Sequence, residues 1–183
     1  MAAVASGNET PRTIVHEILA SKLPAHERMP ARIFEDVSTV TGAGFETTAS
    51  VLRLIFFHVF SNPSILRRLR TELSSVSTPA DLKTLEQLPY LTSVLKEGLR
   101  LSPAIATRMA RVAPDRDQIY GKWRIPASTP VGMTTILMHT DETIYPDPKR
   151  FAPERWIDDD GLKRGDTVFA PFAKGTRNCL GMQ

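Results

Sequence analysis

Cysteine is almost missing from this chain: 183 residues hold one, Cys179. A single cysteine excludes an internal disulfide framework and suits a reducing compartment. Long apolar runs are missing as well. The most apolar stretch, Val51 to Phe60, is ten residues long and carries Arg53 and His58, so it does not read as a membrane span. Met1 to Thr10 lacks the apolar core of a signal peptide. Charge of one sign is scarce too. Lys and Arg total 23 against 20 Asp and Glu, a formal net charge of +3 with no block of like charges, so nucleic acid is not an expected partner. There is no internal repeat and no low-complexity tract. What remains is ordinary for a soluble globular protein, 42% apolar and 23% charged, with length for one domain and a sizeable core.

Proline divides the chain unevenly: six of fourteen precede residue 103 and eight lie from Pro103 onward. The first part reads as helices, the second as short strands and long ordered loops. Asn8 to Ala20 is a helix by pattern, with Thr10-Pro11 as cap and first turn and with Ile14, Val15, Ile18 and Leu19 on one face. A turn over Pro24 to Pro30 leads into a long helix from about Ala31 to Ser61. Asn62-Pro63 stops it and starts another, with Ile65, Leu66, Leu69 and Leu73 as an apolar stripe. Pro89 precedes a helix that ends at Ser102-Pro103. Arg108 to Pro126 reads as a β-hairpin turning near Asp115 to Gln118, Val131 to Ile136 as a further strand, and the proline-rich run after His139 as an extended meander. His16, His26, His58 and His139 lack metal-ligand spacing and read as surface or packing residues.

The segment around the cysteine is the most specific feature. Phe172, Gly175, Arg177, Cys179 and Gly181 form FxxGxRxCxG, a pattern that would arise by chance in such a chain with probability on the order of 10⁻⁵. Each position suits a sulfur held against a metal. Gly175 and Gly181 allow a close backbone approach, Phe172 can shield the sulfur, and Arg177 can pair with an anionic group of a cofactor. The competing reading is a buried free cysteine, the commonest role of a lone thiol.

This loop resembles the haem-binding segment of the cytochrome P450 family, and three further motifs resemble that family in the same order. Ala43-Gly44-Phe45-Glu46-Thr47-Thr48 is similar to its oxygen-binding helix motif, Glu97-Gly98-Leu99-Arg100 to its ExxR motif, and Pro153-Glu154-Arg155-Trp156 to its PER[FW] segment. The implied fold is mainly α with small β-hairpins, the C-terminal part of the cytochrome P450 fold truncated at both ends. Residues 1–183 would form a partial domain: 1–102 helical, with the oxygen-binding and ExxR helices, and 103–183 holding the hairpin, the meander and the cysteine loop. Family members are more than twice as long, and Gln183 lies four residues (183 − 179) after Cys179, where the family continues into a long helix. The chain is therefore expected to be a fragment, such as a truncated gene model or an alternative transcript would produce.

The resemblance implies haem-thiolate monooxygenation of a small hydrophobic organic substrate. Cys179 would be the axial ligand of haem b, and NADPH would supply electrons through a flavoprotein reductase. Arg177 and Arg111 would hold the two propionates, with Arg108 as a rival for the second. Ala43 and Gly44 would let the helix backbone open beside the haem, Thr47 would offer a hydroxyl to dioxygen, and Glu46 would relay protons. The alternative for this segment is close helix packing, with Thr47 and Thr48 bonding back to the preceding turn. Glu97 and Arg100, a surface pair by spacing alone, would join Arg155 in a buried network beneath the cysteine loop, as structural support. Ala104 to Thr107 would line the substrate pocket. Arg67, Arg68, Lys163, Arg164 and Lys174 form either a docking patch for the electron donor or a merely solvated face. The run Tyr145 to Trp156 and His16-Glu17-Ile18-Leu19 resemble filamentous-fungal microsomal members, including the trichodiene-oxygenase-like group of secondary metabolism. A full-length relative would sit on the cytoplasmic face of the endoplasmic reticulum membrane, its membrane contact lying in an N-terminal part. Two other readings stand beside this one: a truncated, non-catalytic remnant without stable haem binding, and a thiolate-haem peroxygenase or isomerase that needs no reductase.

Overall fold

The computed structural model describes residues 12–102, 105–157 and 168–182. The chain divides into two compact units, Met1–Glu46 and Thr47–Gln183. In the first, helix α1 covers Ile14–Ala20 and a 3-10 turn covers Ala25–Arg28. The helix starts later than the apolar pattern suggests: Thr13 is its cap, and the Thr13 N–H donates to His16 Nδ1 at 3.2 Å. The expected cap at Thr10-Pro11 falls outside the described residues. Helix α2, Pro30–Ser61, begins in this unit. Arg32 in its first turn pairs with Glu27 at 2.8 Å, Glu35 at 3.3 Å and Asp36 at 3.2 Å.

In the second unit α2 continues to Ser61 and is followed by α3, Pro63–Leu73, α4, Leu82–Glu86, and α5, Pro89–Leu101. Their starts are chemically marked. The Asn62 side chain accepts the N–H groups of Ser64 and Ile65, and that of Asp81 accepts Thr84 N–H at 2.8 Å. Helix α5 begins at proline and has no cap of its own. Glu72 of α3 caps it from outside, its carboxylate accepting Tyr90 N–H at 2.8 Å and Leu91 N–H at 2.7 Å. Tyr90, Ser93, Val94, Glu97 and Gly98 recur at helical spacing and form the buried face of α5. The core gathers Ile55, Val59, Ile65, Tyr90, Val94 and Phe151. A Cβ at Gly98 would lie 2.2 Å from Ile55 Cγ1, so only glycine lets α5 come this close to α2.

Two strand expectations need correction. The hairpin pairs β1, Gln118–Tyr120, with β2, Trp123–Ile125, and turns at Gly121 and Lys122 rather than near Asp115 to Gln118. Gly121 adopts φ +57°, which a two-residue hairpin turn requires, whereas Asp117 spends its carboxylate on Arg124 and on Ala127 N–H. Nor is Val131 to Ile136 a strand. Val131 makes one bridge with Arg111, and Thr135–His139 is helix α6, because a short apolar run does not distinguish strand from helix. After α6 the chain has no strand among the described residues. It ends in 3-10 turns at Pro153–Trp156 and Leu180–Met182. The mainly α architecture with a small two-stranded sheet matches the expected fold class. No single helix among the described residues is long and apolar enough to cross a membrane.

Candidate active site

The best-defined constellation is centred on Glu97. Its residue is fully buried, as is Arg100 at 1% exposure. Arg100 grips the carboxylate with two bonds of 2.8 Å, Nε to Oε2 and Nη2 to Oε1. Trp156 Nε1 donates to Oε2 at 2.9 Å, while Arg155 Nε and the Ala152 N–H donate to Oε1 at 3.0 Å. The arginines have further acceptors. Arg100 donates to the carbonyls of His139 at 2.6 Å and Arg150 at 3.3 Å, and Arg155 to those of Pro146 and Asp147. Burial pushes the Glu97 carboxyl up, but the bonds and charge of Arg100, with Ala152 N–H and Arg155, outweigh it and hold the group below its ordinary range. Glu97, Arg100 and Arg155 thus meet in one buried cluster that ties α5 to the meander.

This cluster reaches the cysteine loop through a residue to which spacing alone assigned no such part. His139 is 2% exposed; its carbonyl accepts from Arg100, and its Nε2 accepts the Ala170 N–H at 3.1 Å. Its ring packs near Tyr145 and Phe169, and Phe169 lies 4.8 Å from Trp156. Burial lowers the His139 pKa, consistent with a neutral ring that accepts at Nε2. Two further residues were not singled out from sequence: Trp156 as a Glu97 donor and Gly98 as the close-approach point. Trp156 had a signal in its place beside Arg155. His139 had none beyond following the apolar Ile136-Leu137-Met138.

From Ala170 the loop turns on its own backbone. Ala173 N–H donates to Ala170 O at 3.0 Å, Asn178 N–H to Gly175 O at 3.2 Å and Cys179 N–H to Phe172 O at 2.9 Å. Gly175 takes φ +83° and Ala173 φ +61°. Phe172 is half-buried, whereas Cys179 is exposed, so the buried-thiol reading does not describe it. A Cβ at Gly181 would sit 3.9 Å from Cys179 Sγ, an ordinary contact. Arg177 and Arg111 are both exposed, and neither has an ion pair among the described residues. Arg111 Nη1 instead lies 3.3 Å from the carbonyls of Met109 and Ala110.

Helix α2 carries Ala43, Gly44, Glu46 and Thr47. The first three are exposed and Thr47 is half-buried. The expected opening of the helix is not there: α2 is continuous through these residues, because glycine permits a break but closing the ladder keeps the backbone groups paired. Among the described residues a Cβ at Gly42 or Gly44 would meet nothing within 4 Å. Of the basic patch, Arg68 is committed to Glu154 at 3.3 Å and to the face of Tyr90 at 4.2 Å; Lys163 and Arg164 lie outside the described residues. Burial and then Glu154 push the Tyr90 phenol up to about 12. Ala104 is also outside the described residues, while Ile105 to Arg108 are exposed.

An exposed thiol on a glycine turn, with cationic side chains free to meet carboxylates, is a donor set that fits an iron porphyrin. The family model of Cytochrome P450 matches residues 4–183. The chain belongs to the cytochrome P450 family. It is 44% identical, over 96% of its length, to Cytochrome P450 monooxygenase tpcC of Cochliobolus heterostrophus. It is 41% identical, over 94%, to N-acetyltryptophan 6-hydroxylase ivoC of Emericella nidulans, and 44% identical, over 93%, to Cytochrome P450 monooxygenase astB of Talaromyces wortmannii. These matches cover 35%, 35% and 36% of the respective relatives, so the chain spans about a third of their length. Membership implies a haem held by a cysteine thiolate.

Proposed function

We propose that the chain carries the cysteine-ligand side of a haem-thiolate monooxygenase that hydroxylates a small hydrophobic organic molecule with dioxygen. The observation that carries this reading is the exposed Cys179 on a loop anchored, through Ala170 and His139, to the buried Glu97–Arg100 cluster. When bound, the haem supplies the one-electron and oxygen chemistry that side chains lack. Cys179 Sγ would hold it as a thiolate, a ligand that donates electron density to the iron. Cys179 N–H is spent on Phe172 O, which holds the loop in register behind the sulfur. Phe172, half-buried beside the loop, would shield the sulfur once the haem is bound. Arg177 and Arg111 are the cations for the two propionates, and the exposure of both supports that use. By the family resemblance, Thr47 Oγ1 would offer a hydrogen bond on the oxygen side, and Glu46, exposed on α2, would exchange protons with solvent. Electrons come from NADPH through a flavoprotein reductase, and the complete enzyme works at the endoplasmic reticulum membrane, on its cytoplasmic face. The relatives named as monooxygenases support the reaction class; the name N-acetyltryptophan 6-hydroxylase gives that relative's own substrate and fixes none here.

The test is to express the chain with haem supplied and reduce it under carbon monoxide. A strongly red-shifted Soret band, lost in Cys179→Ser, is the expected result. A featureless spectrum would favour the non-catalytic remnant, and turnover with peroxide but not with reductase and NADPH would favour the peroxygenase.

A further inference from the structure

We propose that His139 is the positioning residue that registers the Cys179 loop on the Glu97–Arg100 cluster, and that it does so only as a neutral imidazole. His139 makes two bonds that reach in different directions. Its carbonyl accepts Arg100 Nη1 at 2.6 Å and its ring nitrogen Nε2 accepts the Ala170 N–H at 3.1 Å. The first bond fixes His139 to α5. The second fixes the chain just before the loop turns, because Ala170 O receives the first hydrogen bond of that turn, from Ala173 N–H. Trp156, itself a donor to Glu97, adds ring packing against Phe169, the residue before Ala170.

An imidazole accepts at Nε2 only when the proton sits on Nδ1 alone. A second proton would place two N–H donors face to face and break the link to Ala170. The groups around the ring oppose that proton. Arg100 brings a positive charge, Glu97 is already neutralised by Arg100 and Arg155, and Tyr145 and Phe169 enclose the ring with aromatic surface. Burial holds the His139 pKa below its ordinary value, so the link is intact at neutral pH and is lost as pH falls through that lowered value. The inference deepens the haem-thiolate reading, since the loop it positions is the one assigned to the iron, yet its first test does not depend on haem.

Amide hydrogen exchange on the chain without added haem measures the link directly, with α5 amides such as Val94 as the reference for global folding. In His139→Phe, protection at Ala170 should fall about tenfold or more relative to α5, while His139→Gln, whose side-chain carbonyl can accept in place of Nε2, should keep most of it. Equal protection at Ala170 in wild type and His139→Phe would overturn the proposal. If His139→Phe does not fold, the wild-type chain decides: protection at Ala170 should drop ahead of α5 on mild acidification, and a parallel loss would overturn the proposal. With haem added, His139→Phe should shift the reduced carbon monoxide complex away from the thiolate band more than His139→Gln does. Absence of any haem spectrum in the wild type would count against the functional reading, while the exchange result would still decide the role of His139.

Discussion

Five hydrogen bonds converge on the two oxygens of Glu97, all from residues with little or no exposure, whereas Cys179 is exposed on a loop that turns on backbone hydrogen bonds such as Cys179 N–H to Phe172 O. The first region is closed by protein atoms alone. A carboxylate taken out of water is tolerable only when its lone pairs are met, and here they are met from α5, from the Pro153–Trp156 turn and from the chain just before it. The second region turns its one reactive atom outward, and Arg177 with it. Architecture and ligand chemistry are thus separated in the same unit, joined by His139. The contrast teaches where to look for each kind of effect: stability should respond at the cluster, and cofactor chemistry at the loop.

The largest break follows from emptying the cluster. Glu97→Ala leaves Arg100 buried with no anionic partner and removes the acceptor of Trp156, Arg155 and Ala152. A loss of about 3–5 kcal/mol in unfolding free energy is expected by chemical denaturation, together with loss of haem incorporation. Normal cofactor content in that variant would show that the loop does not need the cluster. The same group sets an acid limit. Because the folded carboxyl lies below its ordinary range, its contribution is complete above the unfolded value and disappears as pH falls through the folded one.

A smaller effect comes from the packing that sets the cluster against α2. Gly98→Ala would place a methyl 2.2 Å from Ile55 Cγ1 and 2.5 Å from Cδ1, inside the core. A cost of about 1–3 kcal/mol is expected. The cost should shrink when Ile55→Ala is already present, and a double-mutant cycle measures that coupling. Equal costs in both backgrounds would mean that the clash is relieved elsewhere. Next in size is Glu72→Ala, which uncaps α5 by removing the acceptor of Tyr90 and Leu91 N–H. About 1–2 kcal/mol should be lost, with haem ligation changing less than in Glu97→Ala.

What could be read from the sequence follows the same division. Helices α2, α3 and α5 were legible because proline marks their starts and their apolar residues keep helical spacing. The hairpin turn is not legible because Asp115 and Asp117 imitate turn chemistry, while the residue that makes the turn is Gly121 with its positive φ. Helix α6 resembles a strand in sequence because Val131 to Ile136 is too short for periodicity to discriminate. At the site, Glu97 and Arg100 are an ordinary surface pair by spacing, and only the family resemblance pointed to their burial. The caps supplied across long separations, Glu72 on α5 and His139 on Ala170, have no local signature at all. Such partners are set by tertiary packing.

The smallest expected effect on stability is also the sharpest test of the loop side. Arg177 is exposed and has no ion pair among the described residues, so Arg177→Ala should change unfolding free energy by less than about 0.5 kcal/mol. If the residue is there to meet a propionate, the same substitution should still weaken haem retention, and Arg177→Lys should recover only part of it, since an ammonium offers a point charge where a guanidinium offers a planar fork. Haem dissociation to an excess of a stronger acceptor, measured beside the denaturation midpoint, reads both quantities on one preparation. A variant that loses cofactor without losing stability places Arg177 with the chemistry. One that loses stability in parallel would move it to the framework that Glu97 organises.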